Sequence, residues 1–557
     1  MSEEKKETLN FLEEMVAADI AAGKHGGRVH TRFPPEPNGY LHIGHAKAIW
    51  VSFSIAQKFG GKTNLRFDDT NPITEKTEYV ESIQNDIKWL GYQWDGEPLY
   101  ASDYFDELYK FALQLITDGK AYVDDSSAEE IAEMKGTPTE PGKDSPYKSR
   151  TIEENIDLFS RMKNGEFPDG SKVLRANIDM SAPNMLMRDP VIYRIKKETH
   201  HRTGDKWCIY PMYDFAHGQS DSIEGITHSL CSLEFMHHRP LYDWFIENLD
   251  IFPSKQTEFA RMNVEYMITS KRKLKKLIEE NLVTGWDDPR MPTLSGLRRR
   301  GIPAVAIRNF CEKTGITKRE NLQEISLFNS CVRDALNQTA TRVMVVLDPV
   351  KVVITNYPDD QSEMMEADNN PSDENSGTRP LPFSKEIYIE RSDFMEDAPK
   401  KFFRLGIGKN VRLKHAYIIT AESIEKDTDG TITQINCTYY PNSKSGEDVS
   451  GVKAKGTLHW VSVAHGKEVQ IRDYDSLFTD PAPTAHEGKD YLEFYNKESL
   501  VIRSGIAEPS LLESNVGDVF QFIRKGYYRL DEDSTVGKPI FNKTIAMKDS
   551  WAKSQKK

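Results

Sequence analysis

Residues 28–59 constrain the fold more than any other stretch, because they force two abrupt changes of backbone state. Arg28-Val-His-Thr-Arg-Phe33 alternates as a strand does, with Val29, Thr31 and Phe33 on one face. Pro34, Pro35, Pro37 and Gly39 then forbid regular structure and make a rigid turn at the strand's carboxyl end. From about Gly44 the spacing of Ala46, Ile49, Trp50, Phe53 and Ala56 predicts an amphipathic helix, which Gly60-Gly61 ends. His42 and His45 therefore fall at a helix amino terminus facing the crevice above a parallel sheet. Unpaired N–H groups and the helix dipole favour a phosphate there. Two imidazoles add directed donors for charge developing in a transition state. Two capping or packing histidines are the plainer reading, and His-x-x-His alone is a weak pattern. A strand, a Pro/Gly turn, a histidine on each side of Gly44 and a helix together are much stronger. A metal pair fits poorly, since helical His-Glu-x-x-His spacing and a nearby third ligand are missing.

At 557 residues the chain exceeds one ordinary core, so several domains are expected. No apolar run approaches the roughly 18 residues of a membrane span, and the start lacks the apolar core of a secretory signal. The five cysteines, Cys208, Cys231, Cys311, Cys331 and Cys437, include no Cys-x-x-Cys. No structural zinc is expected, and a reduced, cytoplasmic setting is. A net charge of −13 argues against indiscriminate coating of nucleic acid. Arg261 to Glu312 reverses that sign, with 11 Lys/Arg against 6 Asp/Glu. A solvated helix face explains such a run as well as an RNA backbone does.

In order, residues 1–24 read as an acidic helical preface. Strand and helix alternate through Thr63–Phe67 and Glu75–Leu90, as in a doubly wound α/β domain. A helix from Asp103 to Asp118 and a strand at Ala121–Val123 follow. Residues 124–205 break the alternation and read as an insertion whose end is made basic by Arg188, Arg194, Lys196, Lys197 and Arg202. The parallel sheet is expected to resume near Trp207–Tyr213. Helical patterns dominate 271–341. Short strands follow at 343–346, 350–354, 386–389, 411–421, 431–439 and 456–463, with Asp429-Gly430 as a hairpin signal, so an all-β tail of barrels or sandwiches is expected. Asp359–Glu374 carries seven acids and no base and reads as a solvated, mobile loop.

Phe33-Pro-Pro-Glu-Pro-Asn-Gly-Tyr-Leu-His-Ile-Gly-His45 resembles the HIGH signature of class I aminoacyl-tRNA synthetases in their glutamyl/glutaminyl form. Thr269-Ser-Lys-Arg272 resembles their second signature, KMSKS, with Thr269 where the family usually has Met. The resemblance runs from about residue 25 to 553. It implies a multidomain α/β plus all-β protein: a Rossmann-like catalytic domain over 25–100 and 206–270, an inserted acceptor-stem domain over 101–205, a helical domain over 271–340 and two anticodon-binding β-barrels over 341–553. A monomer is implied, with no membrane partner. No long amino-terminal appendage is seen, which favours the bacterial type.

The same resemblance implies site residues. His42, His45 and Lys271 are the catalytic set, the last on the β- and γ-phosphates of ATP, with Mg²⁺ accompanying the nucleotide. Glu36, Pro37, Asn38, Ile43, Gly44, Ala46, Lys47, Ala48, Ser232, Arg261, Met262, Thr269 and Ser270 complete the ATP site. Gly44 is expected to leave the adenine's approach open. Asp68, at the end of Arg66-Phe-Asp-Asp-Thr-Asn71, is assigned the substrate ammonium. Tyr213 is assigned its side-chain amide, and Arg32 lies near the same amino acid; Asp69–Asn71 read as a turn. Glutamyl enzymes place Arg at the position of Cys231, and a neutral residue there favours L-glutamine, hence tRNA(Gln) as partner. For tRNA, Pro138 stands where bacterial relatives have a Leu wedge, and His237 stands where an Asp reads a guanine. Arg342, Arg404, Arg412 and Gln521 match anticodon contacts, while Lys401 replaces a Gln. A glutamyl enzyme and an inactive RNA-binding paralogue remain as alternatives, while a free-standing nucleotidyltransferase would not need some 200 residues of β tail or an RNA-facing insertion.

Overall fold

The computed structural model describes residues 8–547; the first residues of the expected preface and the last of the expected barrel domain lie outside it. Contacts divide the chain into one unit of residues 1–263 and 311–323 and a second of 264–310 and 324–557.

In the first unit the strand His30–Phe33 pairs in parallel with Lys62–Phe67, which pairs in parallel with Leu99–Tyr100. His228–Ser232 pairs in parallel with Lys255–Phe259 and lies along the free side of His30–Phe33, where the Thr227 N–H donates to the His30 carbonyl at 2.9 Å. Connecting helices put the carboxyl ends of all these strands on one side, the arrangement that opens a ligand crevice. The helix after the first strand runs Ile43–Lys58 and is covered on more than one side, with Ile43, Val51 and Ile55 buried alongside Ala46, Ile49 and Phe53. A helix flanked on both sides loses the single apolar stripe that its spacing suggests.

The insertion is a four-stranded antiparallel sheet of Ala121–Asp124, Val173–Ala176, Val191–Ile195 and Ile209–Pro211. The expectation that the parallel sheet resumes near Trp207 is therefore corrected. Ile209–Pro211 is the edge strand of the inserted sheet, and the chain returns to the crevice only with the helix Tyr213–Ile223. Cys208–Met212 is apolar on both faces, a pattern that does not distinguish parallel from antiparallel partners, and Pro211 suits an edge.

The second unit carries the helices Lys271–Glu279, Leu294–Arg300 and Ile325–Thr339, then two seven-stranded sheets. Each sheet comes full circle because one segment supplies both of its edges. Thr341–Val343 and Val345–Val346 end one ladder and are separated only by Met344; Thr457–Leu458 and Val461–Ser462 end the other. At that second corner Trp460 is fully buried and its indole N–H donates to the Lys414 carbonyl at 2.9 Å. The acidic stretch is not a loop throughout. Ser362–Asp368 pairs with Thr378–Ser384, and its alternation buries Met365 and Ala367 while Glu366 and Asp368 face out; Glu363, on the inner face, accepts from Tyr417 and Lys444. Two small apolar residues at period two outweighed the charge.

Candidate active site

His42 is the N-cap of the helix Ile43–Lys58, in an extended conformation that Ser or Asp more often supplies. The Gly44 N–H donates to His42 Nδ1 at 3.1 Å, and the His42 N–H donates to His45 Nδ1 at 3.1 Å. Both rings thus accept at Nδ1, which places each proton on Nε2. Their centroids are 3.8 Å apart. Burial, then His45 and Arg261, hold the His42 pKa well below its usual 6.5; burial alone brings His45 down to about 4. At neutral pH the pair is uncharged and offers two Nε2–H donors at a helix amino terminus. A Cβ at Gly44 would lie 2.9 Å from His42 Cε1, so the glycine also makes room for the imidazole itself.

The turn before the helix is strapped to the end of the next strand. The Asp68 N–H donates to the Pro35 carbonyl and the Lys76 N–H to the Pro37 carbonyl, each at 3.1 Å. Glu36 accepts from the Asn38 amide at the rim. Pro37, Ile43 and Ala46 are buried, and Ala48 is half-buried. Lys47 is a correction. Its ammonium is buried, donates to the Cys311 carbonyl at 2.8 Å and to the Gly315 carbonyl, and sits 4.6 Å from the Trp50 ring. It caps the carboxyl end of a helix and is not available to a nucleotide phosphate. Opposite the histidines, Arg261 is half-exposed between Glu234 and Glu320, at 3.7 and 3.5 Å, and Met262 is buried. The Ser232 hydroxyl donates to Glu234 at 2.7 Å. Thr269, Ser270 and Lys271 belong to the second unit, where Lys271 is exposed and opens the helix Lys271–Glu279.

Beside the histidine turn lies a pocket of buried charges. Arg66 Nε donates to Asp68 Oδ1 at 2.7 Å, and its Nη1 to Asp221 Oδ1 at 2.8 Å. Asp68 Oδ2 is buried without a hydrogen bond, as is Nδ1 of His217, 3.5 Å away. Burial opposes ionisation of Asp68, but Arg66 holds its pKa below the ordinary carboxylate value. One charged oxygen is thus anchored by Arg66, and the other faces His217 Nδ1 and has no short hydrogen bond of its own. The Tyr213 ring stacks on His217 at 5.1 Å, and burial raises its phenol pKa, keeping the hydroxyl protonated.

Arg32 lies behind this pocket rather than lining it. It is fully buried and donates from Nε to Asp221 at 2.9 Å, from Nη1 to the Leu230 carbonyl at 2.8 Å, and from Nη2 to His217 Nε2 at 2.9 Å. That last bond makes Nε2 an acceptor and turns the His217 Nδ1–H toward Asp68. Arg32 Nη2 also reaches Cys231 Sγ at 3.3 Å. Directly behind the sulfur of Cys231, which is expected to be a neutral wall, stands a guanidinium. Burial opposes ionisation of the thiol, while Arg32 and His217 draw its pKa below the ordinary value. Asp221, held far below the carboxylate range chiefly by Arg32 and Arg66 against its burial, balances that cation.

Sequence reading missed His217, Asp221 and Arg66. The signal was present, since Tyr213, His217 and Asp221 are spaced i, i+4, i+8 on one helix face and Arg66 alternates with Asp68 along a strand. It also underrated Asp69, which is no mere turn residue. Asp69 is buried, accepts from the Ser102 N–H and hydroxyl at 2.8 and 2.7 Å, and binds His201 Nε2 at 3.1 Å. Asp69, His200 and His201 converge as metal ligands could. However, the N–H groups of Arg202 and Thr203 donate to His200 Nδ1, leaving its proton on Nε2, which donates to the Asp69 carbonyl at 2.8 Å. A ring so held is a donor, not a ligand.

In the insertion, Pro138 is exposed at the tip of a tight turn between Thr137 and Glu140. Arg188, counted from the sequence among the residues that make the end of the insertion basic, is the clamp of that turn. It is buried, and its Nη1 donates to the carbonyls of Lys135, Thr137 and Glu140 at 2.6, 2.9 and 2.8 Å. His237 is exposed. In the second unit, Arg342 donates to Asn337 and Ser372 at 3.4 and 3.1 Å. Arg412 donates to the Ser443 carbonyl at 2.7 Å and pairs with Asp448, and Arg404 is half-exposed. Gln521 is buried, its amide donating to the Tyr527 hydroxyl at 2.9 Å, so it does not present its edge to solvent.

The family described as tRNA synthetases class I (E and Q), catalytic domain, matches residues 28–338, and two anticodon-binding domain families of the same group match 340–440 and 457–531. The chain belongs to the class I (E and Q) tRNA synthetases. It is accordingly an enzyme of the ligase class. A glutamine–tRNA ligase of Proteus mirabilis is 54% identical over 557 residues, the whole of both chains. One of Rhodopirellula baltica is 55% identical over all of this chain and 92% of its own, and one of Escherichia coli is 54% identical over 99% and 100%. Among solved structures, a glutamate–tRNA synthetase of Elizabethkingia anophelis matches 56% of this chain and 71% of its own at 16% identity, with a TM-score of 0.43. Among the described residues, no helix of this synthetase is long and apolar enough to cross a membrane.

Proposed function

We infer that this synthetase joins L-glutamine to tRNA(Gln), consuming ATP and releasing AMP and pyrophosphate. The observation that carries the reading is the pairing of two uncharged Nε2–H donors at a helix amino terminus with a buried carboxylate, Asp68, that Arg66 keeps ionised and whose second oxygen has no short hydrogen bond. The full-length likeness to glutamine–tRNA ligases supports the choice of amino acid.

In this mechanism the helix terminus receives the α-phosphate, and His42 and His45 donate to its non-bridging oxygens as the glutamine carboxylate attacks phosphorus. Neutral donors strengthen with the charge that builds in the transition state and leave no buried cation when the site empties. Asp68 Oδ2 holds the ammonium, and Tyr213 offers its hydroxyl to the side-chain amide. Lys271 is assigned the departing pyrophosphate, and Mg²⁺ would accompany the nucleotide and neutralise its phosphates. No side chain forms a covalent bond, so the rate comes from positioning and electrostatics. The terminal tRNA hydroxyl then attacks the adenylate carbonyl and AMP leaves. Pro138 and His237 are assigned to the acceptor end, and Arg342, Arg404 and Arg412 to anticodon bases. The enzyme acts as a cytoplasmic monomer.

Charging purified tRNA with glutamine and, separately, with glutamate tests the reading. Glutamine on tRNA(Gln) alone is expected; glutamate on either tRNA would move the protein to the glutamyl branch.

A further inference from the structure

The two barrels of the second unit meet at a buried carboxylate. Asp393 closes the turn Arg391–Asp393 after the strand Glu386–Glu390 of the first barrel and is fully buried. Arg524, in the turn between Val519–Phe522 and Gly526–Leu530 of the second barrel, pairs with it through both terminal nitrogens at 2.6 and 2.7 Å. The neighbours of Arg524 make the same crossing. Ile523 joins the apolar core of the first barrel, and Lys525 pairs with Glu390 at 2.8 Å. A one-residue step in that turn would break three contacts at once.

Arg404 of the first barrel shares the carboxylate. Its Nη1 lies 3.4 Å from Asp393 Oδ1 and donates to the Ser392 carbonyl at 3.0 Å. Among the described residues, no hydrogen bond engages its Nε or Nη2. The guanidinium is therefore held at one corner, by a hydrogen bond to the Ser392 carbonyl and by the nearby Asp393 charge, and is open along its forked edge, while Asp393 is itself immobilised by a bidentate partner from the other barrel.

We propose that Asp393 is a positioning residue for anticodon reading: it sets the plane of Arg404 so that the open edge meets the acceptor atoms of one unstacked base, and it does so only while Arg524 locks the second barrel onto the first. This rests on the reading of Arg404 as an anticodon contact. A flexible arginine loses rotamer entropy on binding, and one held in advance by a buried partner loses less, so the carboxylate contributes affinity without touching RNA. It also makes recognition by the first barrel depend on docking of the second.

The test uses the whole enzyme and tRNA(Gln) transcripts with the cognate or a substituted anticodon, measuring kcat/KM for each, with glutamine and ATP KM values at saturating tRNA and a melting curve for every variant. Asp393→Asn is expected to lower kcat/KM for the cognate tRNA by roughly 10-fold through KM and to reduce discrimination between the two transcripts, leaving the KM values for glutamine and ATP in place. Asp393→Glu keeps the charge, moves the carboxylate by one methylene, and is expected to do the same in a chain that remains folded. On an Arg404→Ala background, the loss of discrimination caused by Asp393→Asn is expected to shrink to what the Arg524 pairing alone accounts for. Full retention of discrimination in both Asp393 variants, or an undiminished loss on the Arg404→Ala background, overturns the proposal. An Arg404→Ala enzyme that discriminates normally removes the reading of Arg404, and the inference with it.

Discussion

The histidine turn and the amino-acid pocket open at the carboxyl ends of adjacent strands, His30–Phe33 and Lys62–Phe67, yet they handle charge in opposite ways. At the turn, His42 and His45 are pushed toward neutrality by burial, and binding power comes from oriented N–H groups. In the pocket, Arg32, Arg66, Asp68 and Asp221 are buried and remain charged because each cation has a carboxylate within 2.9 Å. On the proposed function, the difference follows the ligands. A triphosphate arrives with its own high charge and metal, so fixed dipoles suffice, and a buried cation would be costly once the site empties. An amino acid brings one ammonium, which needs a full opposite charge held ready.

The contrast breaks first at the histidines. His45→Ala removes a donor made strong only in the transition state and is expected to lower the single-turnover rate of adenylate formation by about 100- to 1000-fold, with little change in KM for glutamine. An equal rise in KM would place His45 in ground-state binding instead. Asp68→Asn comes next. It keeps the shape, removes the charge from the ammonium and leaves Arg66 short of a partner; KM for glutamine should rise by roughly 100-fold, against a small change in KM for ATP.

Cys231→Arg sharpens the comparison. With Arg32 Nη2 only 3.3 Å behind the sulfur, the new guanidinium adds a second cation to a balanced pocket. Glutamine kcat/KM should fall by about 10- to 100-fold and glutamate use should improve, since a substrate carboxylate now offsets the excess. Parallel kinetics with both amino acids check this, and identical kinetics would show that residue 231 is not felt by the substrate. The smallest expected effect is on stability. Folded His45 takes a proton only near pH 4, whereas an unfolded histidine does so near 6.5. The unfolded chain therefore binds more protons between those values, and the melting temperature should fall as pH drops through that window. His45→Gln should flatten part of that slope.

Much of the catalytic scaffold was legible because its signals are local. Prolines and glycines fix backbone states wherever they stand, so the strand, turn and helix around His42 could be read directly, and Asp429-Gly430 marks a hairpin that forms, with Gly430 at φ 80°. The edge placement of Ile209–Pro211 and the strand in the acidic stretch were not legible, because a short apolar run does not name its partner.

The sequence by itself determined the family and the strand, turn and helix that carry His42 and His45. Tertiary structure decided which charges face a ligand and which serve as framework. Lys47 is expected from the resemblance to line the nucleotide and Arg188 to add to a basic end of the insertion, and both are buried clamps on backbone carbonyls; Arg32 is expected near the amino acid and stands behind Cys231. The physical reason is that a side chain's charge is set by its identity, whereas its partner is set by what the fold brings within about 3 Å, and most of the partners found here are distant in sequence.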